Sequence, residues 1–232
     1  IANIIAKAAP GITADIFSQV TERYAANGKL LPSTYYLLPS YTAEDVIKVM
    51  LSTFSKRIAT LSIESRIRAP LSSEHDVLVL ASILEGEAKT EEDMKIVAGI
   101  LLKRLSLGMP LQVDVAMETY KQKGLPQEPI NNPGLTAIQA VLSPIETPYL
   151  FYITGNDGNM YYAKTFDEHK KNIKKLFKSN KNFNTEDSEL LRKLDIPQAH
   201  SAVRAQNMTA KNNQNQSYEL IPSNEQQIAK EE

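Results

Sequence analysis

Two carboxylates, Glu85 and Glu87, close an apolar stretch, EHDVLVLASILEGE, at residues 74–87. An ionised carboxylate is costly in apolar surroundings, so such a group tends towards a raised pKa. A carboxyl poised near neutral pH is what a general acid needs to protonate a glycosidic oxygen. The same pair also reads as a helix end reaching solvent, with both side chains hydrated. The residues by themselves favour that plainer reading. A second group of candidates follows at 109–134: Gln112, Asp114, Glu118, Thr119, Tyr120, Gln127, Asn131 and Asn132. Hydrogen-bonding groups beside an aromatic ring suit sugar hydroxyls and N-acetyl groups, although a solvated loop has the same composition. The three histidines, His75, His169 and His200, lack metal-ligand spacing, so neither a metal site nor a cofactor is expected. There is no G-x-S-x-G elbow, P-loop or dinucleotide fingerprint. The basic run over 170–175 reads as a solvated helix face.

These candidates need elements to hold them. Residues 74–86 are apolar almost all round, which predicts a buried central helix breaking near Gly86–Lys89. Thr90-x-x-Asp93 caps the next helix, whose Val97, Ile100, Leu101 and Leu105 face the core, and Gly108 is placed to end it in the left-handed region. Upstream, residues 1–30 have helical spacing, and 30–40 read as a loop or short strands. Thr42-x-x-Asp45 opens a helix running to about Ser62, and 63–74 form a connector. The stretch 109–134 is rich in Pro, Gly and polar groups without a clean period, which predicts a long loop, and loops of that length are often functional. A short helix at about 136–142 stops at Pro144. A hairpin follows, with strands at 149–154 and 160–163 around an Asp-Gly turn, and then a helix at about 166–177 capped by Thr165 and Glu168. The fold class expected is α+β: a helical body with a buried central helix and a small antiparallel β-sheet.

The sequence of 232 residues carries a net charge of −1 and 42% hydrophobic residues, so a globular body is expected and a nucleic-acid partner is not. The absence of cysteine excludes disulfides, thiolate catalysis and Cys-based zinc sites. No apolar run approaches the roughly 20 residues that cross a bilayer, and no signal peptide is visible. The chain begins at Ile1, so it is expected to be part of a longer protein, with any membrane anchor upstream. Residues 200–232 are rich in Asn, Gln, Ser and Lys, and the polar tail, 179–232, is expected to be largely disordered.

LASILEGEAKTEEDMKIVAGILLKRLSLGMPLQVD, residues 80–114, resembles the core of the endolytic murein transglycosylase (YceG-like) family, with its A-S-I-x-E-x-E helix, V-A-x-V-x-x-x-R-L stretch and G-M-x-L-Q-x-D segment. GLPQEPINNPGL (124–135) resembles the family's G-L-P-P-x-P-I-x-N-P-G. TPYLFYITGNDGNMYYAKTFDEH (147–169) and LLPSTYYLLPSYTAEDVI (30–47) resemble its hairpin and upstream segments. The resemblance covers about residues 1–177. It implies that Glu87, the second Glu of E-x-E, is catalytic and that Glu85 supports it. Gln112 and Asp114 match the Q-x-D pair, Asn132 belongs to the N-P-G turn, and Tyr120 matches the Tyr ahead of G-L-P. This chain departs from the pattern at Asp114-Val115-Ala116, where the family has Asp-Pro-Thr. The connection to G-L-P is also shorter, and Gln127-Glu128 replaces Pro-Gly. These changes fall on one wall of the implied cleft.

The resemblance further implies residues 1–70 as the N-terminal part of the family region, packed on a catalytic domain at 71–178. The implied reaction is cleavage of the MurNAc–GlcNAc bond of nascent peptidoglycan, leaving 1,6-anhydroMurNAc ends, with one Glu acting as acid and then as base. The implied setting is the outer face of a bacterial cytoplasmic membrane, with peptidoglycan strands as substrate and peptidoglycan synthases as partners. Two alternatives stand beside it. One is a hydrolytic muramidase using Asp114 or Glu85 as a second carboxylate. The other is a glycan-binding or scaffolding module without activity.

Overall fold

The structure is a computed structural model and describes residues 1–9 and 11–177. Eight helices and one hairpin make up the described residues, an α+β arrangement. They are α1 (Ala2–Ala8), α2 (Ala14–Arg23), α3 (Ala43–Ala59), α4 (Ile63–Arg66), α5 (Glu74–Glu87), α6 (Glu91–Ser106), α7 (Leu135–Leu142), β1 (Phe151–Thr154), β2 (Met160–Ala163) and α8 (Phe166–Phe177). None of these helices is long and apolar enough to cross a membrane. The expected tail, 179–232, lies outside the described residues.

Local chemistry explains most boundaries. Thr42 and Asp45 form a reciprocal capping box at α3: each side chain takes the other's backbone N–H. Ser73 and Thr90 cap α5 and α6 by accepting the Asp76 and Asp93 N–H groups. At the far end of α6, Met109 N–H bonds the Arg104 carbonyl (2.9 Å) and Gly108 N–H the Leu105 carbonyl (3.0 Å). Gly108 sits at φ +63°, so the helix closes in a Schellman turn. Three details differ from the sequence expectation. The helical stretch at 1–30 is two helices, the second capped by Thr13. The connector at 63–74 holds the short α4. The segment 109–134 carries structure of its own, a 3-10 turn at Met117–Tyr120 and a bridge between Val113 and Ala116.

Helix α5 lies at the centre because its residues Val77–Leu84 are all buried. Helix α7 packs on both α5 and α6, and α8 packs on both strands. The strands pair antiparallel, with Phe151 opposite Ala163 and Tyr152 opposite Tyr162. One apolar cluster runs from Leu31 and Phe54 through α5, α6 and α7 to Tyr152. A second joins α1, α2 and the first half of α3. The N-terminal part meets the rest through Leu30, whose N–H donates to Asn132 Oδ1 at 2.9 Å.

Helix α6 and the chain after α7 approach so closely that only glycine fits at position 99. A Cβ there would stand 2.1 Å from the Ile145 carbonyl oxygen. The same residue is tied to α6 by the Ile145 N–H bond to the Lys95 carbonyl (3.1 Å), which holds the segment against the helix. Gly99→Ala gains about 1 kcal/mol of helix propensity, and the clash outweighs it. We expect a net destabilisation of about 2 kcal/mol, read from the urea midpoint. A variant as stable as the parent would show that this contact is slack.

Candidate active site

Residues two apart on a helix point about 200° from each other, so Glu85 and Glu87 cannot serve the same side of α5. Glu85 is exposed, and its Oε2 accepts the Gly134 N–H at 2.9 Å. Gly134 is the N-cap of α7 and brings no capping side chain. Glu85 takes the N-cap's own N–H, as the acidic partner of a capping box does, and sets negative charge against the positive end of that helix. Glu87 faces the other way and is half-buried. Its Oε1 accepts the Val115 N–H and its Oε2 accepts the Tyr152 hydroxyl, each at 3.3 Å. The picture of two hydrated side chains at a helix end therefore fails for Glu87.

The segment 109–134 is shaped to deliver one of those donors. Gln112 takes the left-handed region at φ +50° and gives its N–H to the Thr119 carbonyl (3.2 Å). The buried Thr119 hydroxyl accepts the Val113 N–H (3.0 Å) and donates to the Ala116 carbonyl (2.6 Å). This closed turn leaves the Val115 N–H pointing at Glu87. Asp114 Oδ1 accepts the Tyr120 hydroxyl at 2.6 Å. Burial first, then the bond to Asp114 and the charges of Asp114 and Glu87, push the Tyr120 phenol well above its ordinary pKa, so it stays a neutral donor. Buried Ser82 fastens the segment to α5: its hydroxyl donates to the Val79 carbonyl (2.7 Å) and accepts the Ile130 N–H (3.0 Å).

The expected site residues therefore divide. Glu87, Asp114 and Tyr120 share one neighbourhood, since the charges of both carboxylates act on Tyr120. Gln112 is half-buried two residues before Asp114, and its side-chain amide makes no hydrogen bond among the described residues. Asn132 uses its Oδ1 to tie Leu30, and Glu85 holds Gly134, so both organise the walls. Of the other candidates, Glu118 is exposed and the Gln127 carbonyl meets His75 Nε2 at 2.7 Å. Asn131 Oδ1 is buried with no hydrogen-bond partner among the described residues. Among the described residues no group of three His, Asp or Glu could hold a metal ion.

Sequence reasoning missed two residues. Tyr152 is 8% exposed, and burial first, then the Glu87 charge, raise its phenol pKa well above the ordinary value. Arg104 is 4% exposed. Its Nε donates to the Leu150 carbonyl (2.7 Å), and its Nη1 donates to the carbonyls of Leu111 (2.7 Å) and Pro110 (3.4 Å). The guanidinium also lies 5.1 Å from the centre of the Phe151 ring, a cation–π contact. One buried cation thus pins both β1 and the start of the 109–134 segment. A signal was present: Arg104 follows Val97 and Leu101 at helical spacing, a charge on the apolar stripe of α6.

The model of the YceG-like family matches this sequence over residues 1–118 and 116–175. The chain belongs to the YceG-like family. Both carboxylates, the 109–134 segment and the hairpin that brings Tyr152 all lie inside the matched residues. Among curated relatives, the chain is similar to an endolytic murein transglycosylase of Bacillus subtilis, 30% identical over 194 residues that cover 74% of this chain and 53% of the relative. It is also similar to one of Streptococcus pneumoniae, 29% identical over 65% of this chain and 32% of the relative. The chain therefore spans about half or less of the length of these YceG-like relatives. A solved YceG-like protein of Listeria monocytogenes superposes with a TM-score of 0.62 at 25% identity, covering 73% of this chain and 71% of that one.

Proposed function

We propose that this chain is the catalytic part of an endolytic lytic transglycosylase acting on peptidoglycan glycan strands, with Glu87 as its acid and base. The observation that carries the reading is the setting of Glu87: a half-buried carboxyl whose two oxygens are held by the Val115 N–H and the Tyr152 hydroxyl. The names of the relatives support the substrate class. Protonated Glu87 gives its proton to the oxygen joining MurNAc C1 to GlcNAc, and that bond breaks. The carboxylates of Glu87 and Asp114 lend negative field to the positive charge developing at C1. Glu87, now ionised, takes the proton of the MurNAc C6 hydroxyl as that oxygen bonds to C1. The product is a 1,6-anhydroMurNAc end, and no water is consumed. The unengaged Gln112 amide is a group suited to a sugar hydroxyl or an N-acetyl group.

One carboxyl acting twice needs no second catalytic carboxylate. The Tyr120 bond to Asp114 supports assigning Asp114 to the shape and field of the site rather than to attack. The setting that goes with this reading is the outer face of a bacterial cytoplasmic membrane, on nascent strands and beside peptidoglycan synthases. Mass spectrometry of un-crosslinked glycan strands incubated with the 232-residue chain tests it. Anhydro ends are the expected product. Reducing ends carrying an added water would replace this reading with a muramidase. Binding without cleavage would replace it with a glycan-binding module.

A further inference from the structure

The acid in the proposed reaction must be protonated at one step and ionised at the next, so whatever holds its carboxylate also sets the pH range in which it works. Among the groups that hold Glu87 are donors of two kinds. The Val115 N–H is a backbone group, which only a proline at that position would remove. The Tyr152 hydroxyl is a side-chain group on another element, and it reaches Glu87 Oε2 from the buried side of the site.

We propose that Tyr152 is a positioning residue for Glu87: its hydroxyl fixes the carboxyl from behind and favours the ionised form. The inference rests on the assignment of Glu87 as acid and base. It adds a residue from the hairpin that holds the proton carrier at a stated atom, Oε2.

Three observations support it. The phenol is almost wholly buried, so it keeps its proton and remains a donor at any working pH. It is rigidly placed, because its strand is clamped two residues earlier by the Arg104 bond to the Leu150 carbonyl and one residue earlier by the Arg104–Phe151 contact. A donor held in place by other contacts loses little freedom when it bonds, so its effect falls on the acceptor. Finally, the same arginine anchors Leu111 and Pro110, ahead of the turn that presents the Val115 N–H. The two donors to Glu87 are therefore set by one clamp and keep their spacing.

Asp114 from the 109–134 segment and Arg104 from α6 act, as Glu87 does, on the phenols of Tyr120 and Tyr152, while Glu85 turns to Gly134. Both side chains, Asp114 and Arg104, stay in place when the hydroxyl is removed from Tyr152. Tyr152→Phe keeps the ring that packs in the core and deletes only the donor.

The test is a carboxyl-carbon NMR titration of the 232-residue chain labelled at glutamate side chains, with the Glu87 signal assigned by its loss in Glu87→Gln. In Tyr152→Phe the Glu87 midpoint moves up by as much as about one pH unit, the size expected from losing one hydrogen bond to a charged group. Cleavage then persists to higher pH than in the parent, because the acid stays protonated further, while the maximal rate falls because the base step has lost a support. Tyr162→Phe is the control: that phenol donates to Asp93 Oδ1, and its loss leaves the Glu87 midpoint in place. An unmoved Glu87 midpoint in Tyr152→Phe overturns the proposal, and so does an equal movement in Tyr162→Phe. The titration needs no glycan, so a chain that fails to cleave would count against the transglycosylase reading and leave the role of Tyr152 to be decided by the midpoint alone.

Discussion

Glu87→Gln lowers the rate of formation of anhydro ends by about 10²-fold to 10⁴-fold and leaves the fold in place. The substitution preserves shape and one acceptor oxygen. Of the bonds that Glu87 receives from Val115 and Tyr152, one survives in whichever orientation the amide takes. The structural penalty is therefore about one hydrogen bond, roughly 1 kcal/mol, and the protein should still melt cooperatively. The chemical penalty is much larger. An amide can neither donate a proton to the leaving oxygen nor take one from the C6 hydroxyl, so both halves of the reaction lose their carrier. Product mass spectrometry, with a thermal melt of the same preparation, separates the two. Retained cleavage in a folded variant would remove Glu87 from the mechanism and turn attention to Asp114.

Arg104→Met is the largest stability effect we expect at a single buried polar residue, about 3 kcal/mol. Methionine fills similar volume, so little of the cost is a cavity. What is lost is the donor set for the carbonyls of Leu150, Leu111 and Pro110. Those acceptors belong to the backbone and remain in place, and each well-bonded one left dry costs about 1–3 kcal/mol. One term opposes this: the variant no longer buries a cation. Here the cation is bonded to several carbonyls at short distance, so the unpaired acceptors dominate. For a domain of this size the melting temperature falls by roughly 6–12 °C. The release of β1 and of the 109–134 segment should also lower cleavage. Stability unchanged within about half a kcal/mol would mean that water replaces the guanidinium and that the clamp is not rigid.

Much of the scaffold was legible because it is set by neighbours in sequence. Thr42 with Asp45 and Thr90 with Asp93 lie three residues apart, and Gly108 follows its helix directly, so caps and stops declare themselves. The all-apolar run Val77–Leu84 declares that α5 is central, since a helix without a polar face has to be covered on every side. The hairpin follows from its Asp-Gly turn. The resemblance then marked Glu87 and the 109–134 segment. Composition hid the inner structure of that segment, because its turn is closed by the Thr119 hydroxyl and by the backbone of Gln112, and neither leaves a period.

The sequence by itself determined that a buried helix ends in two carboxylates and that a polar segment follows it. It could not decide which carboxylate looks into the site. Glu85 and Glu87 differ only in direction around the helix, and direction has meaning only once neighbours are packed. Glu87 meets its donors 28 and 65 residues downstream, at Val115 and Tyr152. Glu85 meets Gly134, 49 residues away. Arg104 and Tyr152 show the same limit: one reads as a charge on an amphipathic helix and the other as a strand aromatic. Only tertiary packing removes water from both, sets Tyr152 beside a carboxyl and makes Arg104 the anchor of the strand that carries it. Caps and helix ends are satisfied within a few residues, so local sequence specifies them. The environment of a buried acid is assembled from distant segments, so the fold decides it.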